Sequence, residues 1–162
     1  MNFENFLKDI LSKYKKEEIT FLGMGNPYRS DDGFGIEFVK KVKSLFQNSF
    51  TEFDNKDEVV LELCNNNDKG ILIFVDVSDF EGKSGDLKIL SYDEIEDIDK
   101  HFHKIPIKLY MKLLISSQKE SYILAIKPKN LKSVNEPKLS EIVAVKLDEI
   151  VTRLKEFTTN ER

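Results

Sequence analysis

The chain has 162 residues, a length typical of one domain, and we predict a single α/β domain over residues 1–162. Its 25 basic and 29 acidic residues give a net charge of −4, which argues against nucleic acid as a partner. Cys64 is the only cysteine and cannot form an internal disulfide, and no apolar run has the length of a membrane span or the pattern of a signal peptide. These features predict a cytoplasmic protein without a membrane span.

The first predicted elements in chain order are a helix and a strand–loop–helix unit. Apolar residues recur at helical spacing over residues 2–16, so we expect an N-terminal helical extension over residues 1–16, followed by a core over 17–157. The stretch EEITFLGMG, residues 17–25, predicts a strand that stops at glycine, and GFGIEFVKKVKSLFQ, residues 33–47, predicts the helix that follows.

The middle of the chain continues this alternation. Residues 49–53 alternate as a short strand does, and the apolar residues of 59–64 indicate a helix that stops at NNNDKG. ILIFVDV, residues 71–77, is apolar on both faces and predicts a central parallel strand. Residues 78–91 predict a turn and a further strand, and the acidic residues 92–100 indicate a solvated segment.

The last third predicts helix, strand and helix. Residues 105–117 form a helix opened by Pro106, residues 121–128 a strand, and residues 139–157 a closing helix. The apolar face predicted for that closing helix consists of Ile142, Val145, Leu147, Ile150, Val151 and Leu154. The alternation predicts a three-layer α/β/α fold with a mostly parallel twisted sheet, whose sites form at the carboxyl ends of the strands.

Four of the seven glycines lie in one stretch, GMGNPYRSDDGFG, residues 23–35. A dinucleotide site is disfavoured, because the third glycine of its fingerprint would fall at Tyr28 and no Gly-Lys-Ser/Thr sequence is present. Asp54, after the second strand, could serve as a ribose-binding acid, although an aspartate is common in a strand-end turn. Gly33 and Gly35 would allow a backbone or another chain to approach the start of the helix closely.

The aspartates of this stretch and a third aspartate are expected to converge. A helix start favours an acid, which explains one of Asp31 and Asp32 easily and the pair less well. Asp76 follows ILIFV directly, so its carboxylate is expected at the carboxyl end of a central strand, beside the loop that carries the pair. The two histidines, His101 and His103, precede the helix that Pro106 opens. An imidazole beside two carboxylates could hold a divalent metal, although an exposed loop position explains either histidine and no His-Glu-x-x-His or cysteine pair is present.

Four blocks resemble the hydrogenase maturation endopeptidases, which process the large subunit of nickel–iron hydrogenases. The blocks are GMGNPYRSDDGFG, ILIFVDVSD with GKSGDLKIL, HKIPIKLYMKLL, and YILAIKP before LSEIVAVKLDEIVTRL. They occur in the order of the family and span about residues 17–157.

The resemblance implies a hydrolase that removes a C-terminal extension from the large-subunit precursor after nickel has been inserted. The family's catalytic and metal-contacting positions correspond to Asp32, Asp76 and His103. The nickel would be carried by the substrate, so the isolated protein is expected to be metal-free. Supporting roles in the loop would fall to Gly23, Gly25, Asn26, Asp31, Gly33 and Gly35. Asn26 is expected to hydrogen-bond the turn, Asp31 to cap the helix or orient the loop, and Gly33 and Gly35 to leave room for the substrate tail.

Two departures from the family pattern leave alternatives open. The second strand is followed by EFDNKDE, which lacks the family's glycine turn, so a non-cleaving chaperone that binds nickel or the precursor remains the alternative function. Phe102 stands where the family has Thr or Ser, which keeps His101 as a substitute for His103.

Overall fold

The computed structural model describes residues 1–95 and 104–160, and within this part of the chain five strands form one sheet. The strands are β1 (Ile19–Gly23), β2 (Ser49–Thr51), β3 (Ile71–Val77), β4 (Leu87–Leu90) and β5 (Glu120–Ile126). Their spatial order is β2-β1-β3-β5-β4, and only the β4–β5 pair is antiparallel. The predicted mostly parallel sheet is therefore confirmed, with an antiparallel strand at one side.

Five α-helices cover the sheet. They are α1 (Phe3–Lys13), α2 (Phe34–Val42), α3 (Lys56–Asn65), α4 (Lys104–Ser116) and α5 (Glu141–Asn160). Short 3-10 segments occupy Lys16–Glu18, Pro27–Gly33 and Tyr92–Glu94. None of the helices within residues 1–95 and 104–160 has the length and apolar character needed to cross a bilayer.

The helices lie on both faces of the sheet and bury two separate cores. Ile71, Ile73 and Val75 of β3 pack with α1, α2 and α5, whereas Leu72 and Phe74 pack with α3 and α4. This division follows from the alternation of side chains along a strand, and it confirms the predicted three layers. The predicted N-terminal extension packs as part of the first layer through α1.

Three details differ from the sequence prediction. Ile142 and Val145 of α5 are exposed, whereas Val143 is buried, because the core-facing positions recur at i, i+4, i+7, i+8 and i+11 from Val143. Helix α2 ends at Val42, five residues before the predicted end at residue 47. In the acidic stretch 92–100, the structure describes only the 3-10 turn and Ile95, and Ile95 is buried.

The parallel strands give the sheet two distinct edges. The carboxyl edge is where β1, β2, β3 and β5 end, and the amino edge is where they begin. Residues 117–119 connect α4 directly to the start of β5 at the amino edge, so α4 runs antiparallel to β5 and itself begins near the carboxyl edge.

Candidate active site

Asp76 lies at the carboxyl end of the central strand, as its position in ILIFVDV predicts. The side chain is 2% exposed and has the same orientation as Leu72 and Phe74, toward the layer of α3 and α4. The backbone N–H of Val77 donates to Asp76 Oδ1 at 2.8 Å. This hydrogen bond orients the carboxylate at the strand end.

Asp32 lies in the 3-10 segment between β1 and α2 and is 4% exposed. The backbone N–H of Asn26 donates to Asp32 Oδ2 at 2.9 Å, and Asn26 Oδ1 accepts a 2.9 Å hydrogen bond from the N–H of Tyr28. The predicted hydrogen bonding of the turn by Asn26 is therefore confirmed. Asn26 also fixes one oxygen of Asp32.

A backbone hydrogen bond brings the two loops together. Met24 N–H donates to Val75 O at 2.9 Å, which extends the β1–β3 pairing by one residue beyond Gly23. Gly25 then follows directly and has φ +123°, a conformation that favours glycine, and a Cβ there would lie 1.9 Å from Asp32 O. The loop that carries Asp32 is thus held against the strand end that carries Asp76.

The helix glycines allow close packing of the chain against itself. A Cβ on Gly35 would lie 2.3 Å from Val75 O and 2.5 Å from Met24 O, and one on Gly33 would lie 2.8 Å from Pro27 Cα. A Cβ on Gly23 would lie 2.1 Å from Gly35 O. The expected close approach is confirmed, but the expected room for a substrate tail at Gly33 and Gly35 is wrong, because the protein's own backbone fills that space.

The side chain of Asp31 has different hydrogen-bond partners from that of Asp32. Its carboxylate is fully buried and accepts hydrogen bonds from Lys129, Asn130 and Ser140, which belong to the segment between β5 and α5. Of the two predicted roles, the orientation of a loop therefore matches the described contacts. These partners lie about 100 positions away along the chain, and no local sequence pattern indicates them.

The two histidines, His101 and His103, lie outside the described residues. Within residues 1–95 and 104–160, no group of three His, Cys, Asp or Glu side chains could hold a metal ion. A set of three ligands built on Asp32 and Asp76 would therefore take its third member from outside that part of the chain. Cys64 is half-buried on α3, and Asp54 Oδ2 accepts a hydrogen bond from Thr51 N–H in a strand-end turn.

Tyr110 connects the two helices of the layer that Asp76 faces. Its hydroxyl donates to the carboxylate of Asp57 at the start of α3. Burial, together with this hydrogen bond and the negative charge of Asp57, raises the pKa of Tyr110 well above its ordinary value. The phenol therefore stays a neutral donor at physiological pH and joins the middle of α4 to the beginning of α3.

Comparison with known proteins gives consistent results in sequence and in structure. The family described as HycI, hydrogenase maturation protease, matches residues 58–156. A protein of Methanocaldococcus jannaschii assigned as a hydrogenase maturation protease is 29% identical over 144 residues, which cover 85% of this chain and 94% of that protein. A second such protein of the same organism is 27% identical over 168 residues, with 95% of each chain covered.

Solved structures share the fold. The crystal structure of a NiFe hydrogenase maturation protease HycI from Thermococcus kodakarensis KOD1 has a TM-score of 0.74 at 18% identity, and the match covers 95% of this chain and 99% of that chain. The solution structure of the endopeptidase HycI from Escherichia coli has a TM-score of 0.68 at 19% identity and covers 86% and 90%. Because the family match extends over more than half of the sequence, this chain belongs to the hydrogenase maturation proteases, a family of endopeptidases.

Proposed function

We propose that this protein acts in the cytoplasm, where it removes the C-terminal extension of a nickel–iron hydrogenase large-subunit precursor after nickel insertion. The observation that carries the proposal is the pair of buried carboxylates at the carboxyl edge, with Asp32 in the segment that follows β1 and Asp76 at the end of the neighbouring strand β3. Buried carboxylates are costly unless they are paired, hydrogen-bonded or used as ligands, and a carboxyl edge is where α/β proteins place their sites.

In this proposal the nickel arrives with the precursor, and Asp32, Asp76 and His103 contact it. The described structure supports His103 through α4, which begins at Lys104 near the carboxyl edge and packs on the sheet face that Asp76 shares. Two carboxylates and one imidazole suit a divalent first-row metal and leave coordination positions for groups of the substrate. A precursor without nickel would lack this contact, so nickel insertion would permit cleavage.

The chain's own backbone orients the two carboxylates of the proposed site. Asn26 holds one oxygen of Asp32, and Val77 holds one oxygen of Asp76, so each carboxylate is fixed before substrate arrives. Such preorganisation lowers the entropic cost of reaching a reactive geometry. A metal bound there can polarise the scissile carbonyl or activate a water molecule.

The test is a processing assay followed by gel electrophoresis. The purified protein is mixed with a cognate precursor that is either nickel-loaded or nickel-free, and we expect only the loaded precursor to be shortened. His103→Ala should abolish the shortening, and His101→Ala should have a mild effect. Asp148→Asn on the exposed side of α5 serves as a matched control, and it should cleave normally.

Each contrary result has a definite meaning. Equal cleavage of both precursors would show that cleavage does not require nickel. Binding without cleavage, under conditions in which a related protease cuts, would favour the chaperone alternative. Loss of cleavage in His101→Ala but not in His103→Ala would transfer the third contact to His101.

A further inference from the structure

The carboxylate of Asp31 lies at the carboxyl edge and accepts four hydrogen bonds. Asp31 is 0% exposed. Its Oδ2 accepts from Lys129 N–H and Asn130 N–H at 2.9 Å each and from Ser140 Oγ at 2.8 Å, and its Oδ1 accepts from Ser140 N–H at 2.7 Å. Hydrogen bonds to an ionised acceptor are about twice as strong as neutral ones, so this carboxylate is a strong anchor.

The anchor joins three parts of the molecule. Asp31 belongs to the segment between β1 and α2, Lys129 and Asn130 follow β5, and Ser140 directly precedes α5. The N–H of Asp31 also donates to Asn130 O at 3.0 Å, and Val134 N–H donates to Tyr28 O at 2.9 Å. Residues 127–140 contain no helix or strand, so these hydrogen bonds, rather than secondary structure, hold this segment in place.

The residue before the anchor has an unusual backbone conformation. Ser30 has φ 53° and ψ −118°, a region that favours glycine, and it is 4% exposed. Strain of this kind persists only where surrounding contacts determine the conformation. Asp31 lies between Ser30 and Asp32 in the sequence. Its hydrogen bonds therefore hold the backbone on both sides and fix the direction of the Asp32 side chain.

We propose that Asp31 is a positioning residue for Asp32. Its carboxylate holds the segment of residues 26–33 against residues 129–140 and thereby sets the place of the Asp32 carboxylate relative to the end of β3. This inference rests on the proposed role of Asp32 as a contact to the nickel of the precursor. Asp31 itself does not touch the substrate, but it determines the position from which Asp32 contacts the nickel.

An amide cannot replace this carboxylate, although it has the same shape. One oxygen of Asp31 accepts three hydrogen bonds, and the other faces the N–H of Ser140. In Asp31→Asn, one of these positions becomes an NH₂ group that meets a donor in either orientation of the amide. The variant therefore breaks the anchor without adding or removing volume.

The experiment compares Asp31→Asn with Ser140→Ala and with a stability control, Leu154→Ala. Leu154 is a buried residue of α5 that packs in the apolar core, 14 positions after Ser140, so its truncation should lower stability alone. We expect Asp31→Asn to lower kcat/KM for the nickel-loaded precursor by roughly 10- to 100-fold, as changes in groups that orient ligands do. Its affinity for nickel-free precursor should be unchanged. Ser140→Ala removes one of the four bonds and should show a smaller loss of the same kind.

A second measurement does not depend on catalysis. Hydrogen exchange of the Asn26 amide, which donates to Asp32 Oδ2, reports directly on the placement of Asp32. It should accelerate in Asp31→Asn and not in Leu154→Ala, measured at a temperature where both variants are folded.

Two outcomes would overturn the inference. One is a folded Asp31→Asn protein with wild-type kcat/KM and wild-type exchange at Asn26. The other applies if Asp31→Asn does not fold: a Ser140→Ala protein with wild-type kcat/KM and wild-type exchange at Asn26 would then overturn the inference. If instead the wild-type protein leaves loaded precursor uncut, the proposed function fails, and the exchange at Asn26 alone then decides the role of Asp31.

Discussion

At the amino edge of the sheet a buried ammonium group hydrogen-bonds to the neighbouring loop, whereas at the carboxyl edge the buried charged groups are carboxylates. Lys119 is 7% exposed, and its ammonium donates to Asn66 Oδ1 at 2.7 Å and to the carbonyl of Asp68. Asp31 accepts from three backbone N–H groups and a hydroxyl, the N–H of Asn26 donates to Asp32, and the N–H of Val77 donates to Asp76. Both edges satisfy their buried charges, but only the carboxyl edge also concentrates them.

The difference indicates that the two edges serve different purposes. Three buried aspartates and a strained serine at one edge of the sheet cost stability, and such costs are typical of functional sites. The single lysine at the amino edge connects two loop groups and has no neighbouring buried acid among the described residues. Changes at the carboxyl edge should therefore affect cleavage, whereas changes at the amino edge should leave the cleavage rate of the folded protein unchanged.

The largest effect is expected for Asp76→Asn, which should abolish processing of the nickel-loaded precursor. The amide retains the oxygen that accepts from Val77 N–H, so the fold should be preserved, but it removes the negative charge that a metal requires. Cleavage is followed on gels, and folding by circular dichroism and thermal unfolding. A variant that retains activity would show that Asp76 is not part of the site.

Gly35→Ala should destabilise the protein by about 3 kcal/mol, the upper part of the range for forced overpacking. The new methyl would lie 2.3 Å from Val75 O and 2.5 Å from Met24 O, both of which are backbone atoms that cannot move aside cheaply. Gly70→Ala is the matched control at the amino edge, since its Cβ would meet Glu18 O at 3.5 Å, an ordinary contact. Urea unfolding measures both, and equal stabilities would contradict the close packing of α2 on the strands.

Lys119→Met should cost about 1–2 kcal/mol, because it leaves the oxygens of Asn66 and Asp68 without this donor while the alkyl volume is kept. Its kcat/KM should remain that of the wild type, since the residue lies at the opposite edge from the site. Lys112→Met, at an exposed position of α4, controls for the loss of one positive charge. A loss of cleavage in folded Lys119→Met would show that the edges are coupled.

Sequence patterns were sufficient for the features that depend on neighbours in the chain. The apolar run before Asp76 predicted a buried central strand, and the glycines around Asp31 and Asp32 predicted a tight loop with close backbone contact. Asn26 was predicted to bond its own turn, which requires a partner only two residues away. Such features follow from local periodicity and from backbone conformations that only certain residues adopt.

Features that depend on distant partners were not predictable in the same way. The bonds from Asp31 to Ser140 join residues 109 positions apart, and nothing in either local sequence selects the other. The face of α5 was misassigned at Ile142 and Val145 because several apolar stripes are possible on that helix, and packing against the sheet decides among them. The role of His103 stays a prediction, since it depends on a residue outside the described part of the chain.

The smallest effect on stability is expected for glycine substitutions at two residues with positive φ, one at each edge. Ser30 has φ 53° at the carboxyl edge, and Gln118 has φ 61° in the turn at the amino edge. Replacing either by glycine relieves strain of about 1 kcal/mol or more but also gives the unfolded chain more freedom, so the net gain in stability should be about 1 kcal/mol or less. Urea unfolding should place both variants at or slightly above the wild type.

Cleavage should separate these two variants. Gln118→Gly changes a turn that only joins α4 to β5, so its kcat/KM should equal that of the wild type. Ser30→Gly loosens the segment between the turn at Gly25 and the anchor at Asp31, and a modest fall in kcat/KM is expected because Asp32 then samples more positions. Equal activity in both variants would mean that the hydrogen bonds of Asp31 alone fix Asp32, and that the strain at Ser30 is a consequence of that anchor rather than a part of it.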